Sequence, residues 1–535
     1  VKARRHRLPL PLALVALTLG VGGLAPLAAT APAAAGGPNA KIEVTTTADV
    51  VDAGDEQTSL REAFDQANAN PGDDTIALTT DPADGRYEVA GCDEGPATGE
   101  DANAFGDFDH TDGAALTIEG QDNVIAGLCD RAVDDLGTGL LTLRDVTIED
   151  SRIPFPTGGN GGGVRAAGDV VGEGLVLRHD GAASGSGGGI HAEGSVDLRD
   201  AVVAQNTARG GAGISADFVR LTDSVLRSNE ALGAGGILSV HGVEIVGSRI
   251  RANRAYGNHG SAACCGDAGA IGSGGLVRID DSEVVGNEGT GTGGAIDASS
   301  VTVRDSTVAG NRTGAAGGAI FSEGVVRIVR STVRQNQVGY FGGGVRAQRA
   351  IIVASTFSGN GAIYGGGVWA EDDVTLTDST FSANVAHSGG ALGGRGGAVF
   401  SNEGAVSLLR STVVHNQGGK GANVRHGGLL VSRASIIGRA VGGVGCWGPG
   451  GTVSHGFNVT DPSAQCGFAA GGDRVIMVGI ALGPLADNGG PTFTRLPPDE
   501  NLSNISLAAC SDHPDQRGQP RPQGARCEAG SVEVP

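Results

Sequence analysis

One asparagine recurs along this chain at a nearly fixed interval, and that interval limits the fold more than any other feature. Asn206, Asn229, Asn253, Asn287, Asn311, Asn336, Asn360, Asn384 and Asn416 are separated by 23, 24, 34, 24, 25, 24, 24 and 32 residues. The two long steps are one unit plus an insertion of about eight to ten residues. Upstream, the same alignment places His179 and Asp150 at the asparagine position of more degenerate copies. Self-similarity at such a period marks a solenoid, in which each unit buries its apolar face only by stacking on the next.

The residues before each asparagine align as well. Three positions earlier stand Val203, Leu226, Ile250, Val284, Val308, Val333, Phe357, Phe381 and Val413; eight positions earlier stand Leu198, Leu221, Ile245, Ile279, Val303, Ile328, Ile352, Leu376 and Leu408. A third apolar column, ten positions earlier, lies two residues from the second, which is the alternation of a strand with one buried face. Five positions before the asparagine comes serine, as in Ser224, Ser306 and Ser379. A glycine-rich turn and a short apolar strand follow it, as in Gly318-Ala319-Ile320 and Gly366-Gly367-Val368. A unit near 24 residues is too short for a four-stranded propeller blade, and its strands are β-branched rather than helix-forming. The expected fold is all-β: a right-handed parallel β-helix of roughly a dozen coils. Each strand then pairs with its equivalent one coil on, about 4.8 Å away.

Composition agrees. With 95 glycines and only 4% aromatics the chain must pack Val, Ile, Leu and Ala in a narrow interior. The asparagine column is expected to be an internal ladder, because stacked amides satisfy one another and the turn backbone where water is excluded.

An open stack exposes strand edges and needs caps. Ser59 to Glu62 fits a capping box, Leu60, Ala63, Phe64 and Ala67 share one helical face, and Pro71-Gly72 ends the pattern. An amphipathic helix covering the first coil is expected there. Ahead of it, Lys2, Arg4, Arg5 and Arg7 precede an apolar run from Leu8 to Leu19 and A-x-A sites at Ala31 to Ala35, the pattern of a secretory signal over residues 1–35. Its apolar core is short for a membrane span, so none is expected in the mature chain. Removing it leaves 34 basic against 59 acidic residues, a net charge of −25. That excess argues against nucleic acid and anionic surfaces as partners. Eight cysteines in an exported protein suggest disulfides. The spacing favours 92–129, 446–466 and 510–527, with Cys264-Cys265 vicinal, although sequence leaves the connectivity open.

Three stretches resemble known families. Ser59-Leu60-Arg61-Glu62-Ala63-Phe64 with Pro71-Gly72-Asp73-Asp74-Thr75-Ile76, within residues 41–80, is similar to the CSLREA domain of secreted bacterial proteins; Thr58 stands where that family has cysteine. Repeats carrying Gly-Gly-Ala-Ile and Phe-x-x-Asn (Phe357 to Asn360, Phe381 to Asn384), over about 158–420, resemble the polymorphic outer membrane protein repeats. Leu482 to Thr492, Asp515-Gln516-Arg517-Gly518 and Cys527-Glu528-Ala529-Gly530 are similar to the choice-of-anchor Q domain. The division implied is a cap over 41–80, β-helix repeats over 81–440 and a C-terminal region over 441–535. The resemblances imply an exported or surface β-helix and no established reaction.

No catalytic set stands out. The position six before the asparagine holds Asp200, Asp223, Asp281, Asp305 and Asp378, and Asp280-Asp281 beside Asp305 is the best acidic cluster. Carboxylates one coil apart repel, raise a pKa or bind a cation. Arg330 and Arg410 share the same column, so ion pairing also accounts for it. The leading expectation is therefore a non-catalytic, monomeric extracellular or loosely cell-surface protein, adhesive or structural, contacting glycans or cell-surface components. The rivals are a polysaccharide lyase or glycoside hydrolase, and a Ca²⁺-stabilised scaffold, either using Asp280, Asp281 and Asp305.

Overall fold

Residues that share a place in the repeat lie one above another. This holds throughout the computed structural model, which describes residues 39–534 apart from 53, 80–84, 90–102, 104–105, 129, 154–158, 258–266, 388–392, 498–503, 507–509, 511–512 and 524–525. The expected signal, Cys92, Cys129, Cys264 and Cys265 therefore lie outside the described residues, as does most of both inserted loops. The chain is a parallel β-helix of about 14 coils. The repeat alone suggested fewer, because coils at both ends lack the asparagine.

One apolar column can be followed by strand register from end to end. Ile42 pairs with Ile76, Ile76 with Ile118 and Ile118 with Leu143. Later in the same column come Ile279, Val303, Ile328, Ile352, Leu376 and Leu408, each opposite the next. These side chains form one continuous interior from Ile42 to Cys466. The strands Val444–Trp447, Thr452–Ser454 and Val459–Thr460 still pair onto the coil before, so winding continues past residue 440.

A single coil shows how sequence sets the path. After Gly318-Ala319 come the strands Ile320–Ser322, Val325–Val329, Thr332–Arg334 and Gln337–Val338. The corner between the second and third is Arg330, with φ 47°, and that between the third and fourth is Gln335, with φ 56°. Every coil in the repeat turns this way. The first corner is Asp200, Asp223, Gly247, Asp281, Asp305, Arg330, Ala354, Asp378, Arg410 or Ala434, all with φ between 46° and 61°. Aspartate and glycine tolerate the left-handed conformation better than most residues, which explains an acidic column without any ligand.

Directly after each corner a polar side chain turns inward. The Asn311 amide donates to Asn336 Oδ1 at 3.0 Å and to the Val284 carbonyl at 3.0 Å, and Asn336 Oδ1 also accepts from the Asn311 backbone at 2.9 Å. The pattern repeats from Asn206 to Asn416. The serines form a parallel ladder: each backbone N–H donates to the hydroxyl one coil on, as from Ser282 to Ser306 and Ser331 to Ser355.

The alignment slips by one upstream of Asn206. Leu177 pairs with Val203 and with Ile148, so the ladder continues through Asp180 and Ser151 rather than His179 and Asp150. His179 and Asp150 are instead corner residues, with φ 62° and 56°.

At the N-terminal end the helix Leu60–Ala69 has the expected capping box and buries Leu60, Ala63, Phe64 and Ala67. Arg61 is buried too, forked onto Asp49 at 2.8 Å through both Nε and Nη2. At the other end Cys446–Cys466 and Cys510–Cys527 are bonded, two of the expected pairs. The tail folds back along the flank. Gln516 spans two coils, donating to Thr356 Oγ1 and accepting from Thr380 Oγ1, both at 2.7 Å, while the Ser531 amide donates to Thr412 Oγ1 at 3.1 Å. Gln516 of the Asp-Gln-Arg-Gly motif and Gly530 of Cys-Glu-Ala-Gly, whose amide donates to the Ala434 carbonyl at 2.8 Å, are thus among the contacts that fasten this strap.

Candidate functional site

Asp281 and Asp305 occupy successive corners and are exposed, and Asp280 ends the strand Ile271–Asp280. Asp305 accepts a two-pronged bond from Arg330 at 2.7 and 2.5 Å. Three coils beyond Asp305, Asp378 is held by Arg410 at 2.8 Å through both prongs and by Arg521 at 3.1 Å. Two of the acidic corners, Asp305 and Asp378, are thus paired to cations in their own file.

A second acidic group lies under the N-terminal cap. Carboxylate oxygens of Asp107, Asp109 and Asp134, all buried, approach within 4.8 Å of one another. Arg131 Nη1 sits among them, 2.6 Å from Asp107 and 2.5 Å from Asp134, and Arg165 Nε donates to Asp134 at 2.6 Å. Burial nevertheless lifts Asp107 to about 7, Arg131 opposing the rise. A guanidinium already fills the place a cation would take. A cavity of about 460 Å³ lies between the tail and the flank, touched by Val353, Asp378, Arg410, Pro491 and Arg517. Its charges are paired internally, Arg410 to Asp378 and Arg517 to Asp515.

The face with unmet chemistry is elsewhere. In the strand that follows the glycine turn, the residue after each inward Ile or Val points outward. Register sets these in one file: Phe321, Arg346, Trp369, Phe400, Arg425 and Trp447. Beside it runs a second file through Phe341, Tyr364, Arg395 and Lys420. Arg346 lies over Phe321 and Trp369 at 4.6 and 5.1 Å, Arg425 over Phe400 and Trp447 at 4.7 and 5.2 Å, and Lys420 over Trp447 at 5.0 Å. Phe341 stacks on Tyr364 at 5.5 Å and tilts against Trp369 at 5.4 Å. Trp369 and Phe400 are buried as a floor, while Phe341 and Tyr340 are 38% and 56% exposed as an upper layer.

Both tryptophans and two of the four tyrosines of the chain stand here. Burial lowers the pKa of Arg346 and of Arg425, yet among the described residues neither is ion-paired with a carboxylate. Rings with cations stacked on them offer flat apolar faces edged by N–H donors, a surface suited to sugar rings and anions. Reading the asparagine, serine and core columns passed over this file, because its members differ in type. The signal was the fixed place of Phe321, Arg346, Trp369 and Phe400 directly after Gly-x-Ile or Gly-x-Val.

No protein-family model matches the chain. No curated protein and no solved structure matches it either.

Proposed function

We propose that this chain is a non-catalytic extracellular or cell-surface β-helix that holds glycans on its aromatic and cationic face. The observation that carries the reading is the stacked pair Phe341 and Tyr364 over Trp369, an aromatic layer kept partly in water on a rigid sheet. Large apolar side chains left exposed in a patch mark a contact surface. Rings fixed in successive coils repeat at about 4.8 Å, comparable with the advance of one sugar in an extended glycan. The secretory pattern of residues 1–35 supports the reading, because export would bring the chain to extracellular glycans.

Retention on a panel of immobilised polysaccharides tests this. The chain is expected to be retained on at least one, and Tyr340→Ala/Phe341→Ala to elute earlier with an unchanged melting temperature. Equal retention of that variant would remove the face from the account. Soluble products released from any polysaccharide would show an enzyme instead.

A further inference from the structure

We propose that the glycan is acidic and polymeric, its carboxylate or sulfate groups held by Arg346, Arg425 and Lys420; this rests on the glycan reading above. Several arginines of this chain have carboxylate partners. Asp305 takes Arg330, Asp378 takes Arg410, and Glu533 takes Arg521. Acidic residues outnumber basic ones by 59 to 38, so counter-ions are plentiful, and the attraction this face offers an anion is local and runs against the net charge of the chain. The arginines of the aromatic face are nonetheless without them among the described residues. Arg346 and Arg425 are half-buried and each spends one N–H on a backbone carbonyl, Ser322 at 3.4 Å and Ser401 at 3.2 Å. The Nε–H of Arg395 and of Arg425 meets no acceptor. Asp297, Glu323 and Glu371 are the carboxylates whose charge reaches Arg346, and none is within ion-pairing distance.

A guanidinium placed over a ring still has N–H donors at its edge, and those not spent on a carbonyl can grip a carboxylate or sulfate. Desolvation makes such a charge costly to leave uncompensated, so an arriving anion gains more here than at an exposed lysine. Length follows from register. Arg346 and Arg425 stand three coils apart, with Trp369 and Phe400 between them. At about 4.8 Å per coil that is about 14 Å. One charged sugar cannot reach both; an extended chain of roughly four sugars can, its rings crossing the aromatic layer between the two arginines. The floor of stacked rings favours a sugar over a bare polyanion.

Affinity electrophoresis of the full chain in gels containing polygalacturonate, dextran sulfate, neutral dextran or poly(dT) tests the proposal. Polygalacturonate, dextran sulfate or both are expected to retard the protein and dextran not; which of the two acts identifies carboxylate or sulfate as the source. Arg346→Gln/Arg425→Gln is expected to weaken retardation at least tenfold and to flatten its dependence on salt. Lys420→Gln, at an exposed position, should weaken it several-fold without touching the fold, which keeps the test decisive if the double variant is unstable. Oligogalacturonates shorter than about four sugars should compete poorly. Equal retardation by dextran would remove the acidity and leave glycan binding standing. Tighter binding to poly(dT) than to any glycan would replace the ligand class, and no retardation in any gel would remove both readings.

Discussion

The backbone N–H of Asp180 donates to Oδ1 of Asn206 at 2.9 Å, so a carboxyl occupies a rung of a ladder otherwise built from amides. Asp180 Oδ1 accepts from the Ser151 amide at 3.1 Å, but Oδ2 is buried without a partner. At the equivalent rung Asn206 donates from Nδ2 to the carbonyl of Leu177. Only a protonated Asp180 can donate there. Burial, first among the causes, raises its pKa well above the usual 3.8. A carboxyl raised on folding contributes its full share of stability below 3.8, and that share is lost as pH climbs from there toward the folded value. Asp180→Asn supplies the donor at every pH. It is expected to raise the melting temperature at pH 8 and leave it nearly unchanged at pH 3.5; an equal gain at both would refute a protonated Asp180.

The same logic applied to a true amide rung gives the opposite sign. Removing the Asn336 side chain strands the Asn311 backbone N–H and the Val308 carbonyl, both buried. Asn336→Ala is expected to cost about 1–3 kcal/mol in a urea titration. Asn336→Asp keeps the acceptor but loses the donor, so its deficit should grow as pH rises. A near-zero cost for both would mean the ladder follows from the winding and does not support it.

How much of this was legible depended on whether a column repeats one residue type. The asparagine and serine ladders and the apolar columns were readable because a parallel stack asks the same of each rung. The cap was readable from Ser59, Glu62 and the Leu60-Ala63-Phe64-Ala67 face, yet Arg61, on the same turn, was not. Its burial depends on Asp49, Asn103 and Gly106, brought beneath the helix only by the fold. The aromatic and cationic face alternates Phe, Arg and Trp, so identity at a fixed offset carried no signal there. The acidic corners misled in the other direction. Asp281 and Asp305 recur because of φ, a backbone demand that looks like a charge pattern when only letters are compared.

That backbone demand can be tested at Asp281, whose φ is 48°. Asp281→Gly should be tolerated within a few tenths of a kcal/mol, whereas Asp281→Val should cost about 1–2 kcal/mol by forcing a branched side chain into the left-handed region. Glycan retention should be unchanged in both. Retention lost in Asp281→Gly would return the acidic corner to the functional site.

Arg61 carries the cap. Its Nη2 bonds the Gly106 carbonyl at 2.7 Å and its Nη1 the Asp107 carbonyl at 3.1 Å, besides the fork onto Asp49. Breaking a buried pair from one side leaves the other charge stranded, at a cost of about 3–5 kcal/mol. Arg61→Ala is expected to speed amide exchange in Leu60–Ala69 and Lys41–Val44 and to leave the strands near Asn336 protected. Arg61→Lys keeps the charge but not the planar fork and should recover only part of the protection. Uniform loss along the whole chain would show that the coils unfold as one unit rather than from the capped end.

At the far end Glu533 and Glu528 lie together inside the tail strap. Burial, helped by the bond between the two carboxyls, pushes Glu533 up to about 8 from the usual 4.5, against the pull of Arg521. Asp378 and Arg410 pack behind Arg521, and Asp515 accepts from the Glu533 amide at 3.0 Å. The pair therefore retains a proton near neutrality. Because the folded value is raised, the strap is held most firmly below pH 4.5 and loses that contribution as pH rises toward 8; above 8 two like charges face each other in the interior. Amide exchange at Cys527 and Ser531, corrected for its intrinsic pH dependence, should accelerate between pH 6 and pH 9, while the ladder amides near Asn311 hold. Glu533→Gln can accept from Arg521 without a charge to lose, so its strap should exchange at the same corrected rate at both pH values. If that variant kept the acceleration, the release would belong to some other group and the paired carboxyls would be no more than a passive filling of the strap.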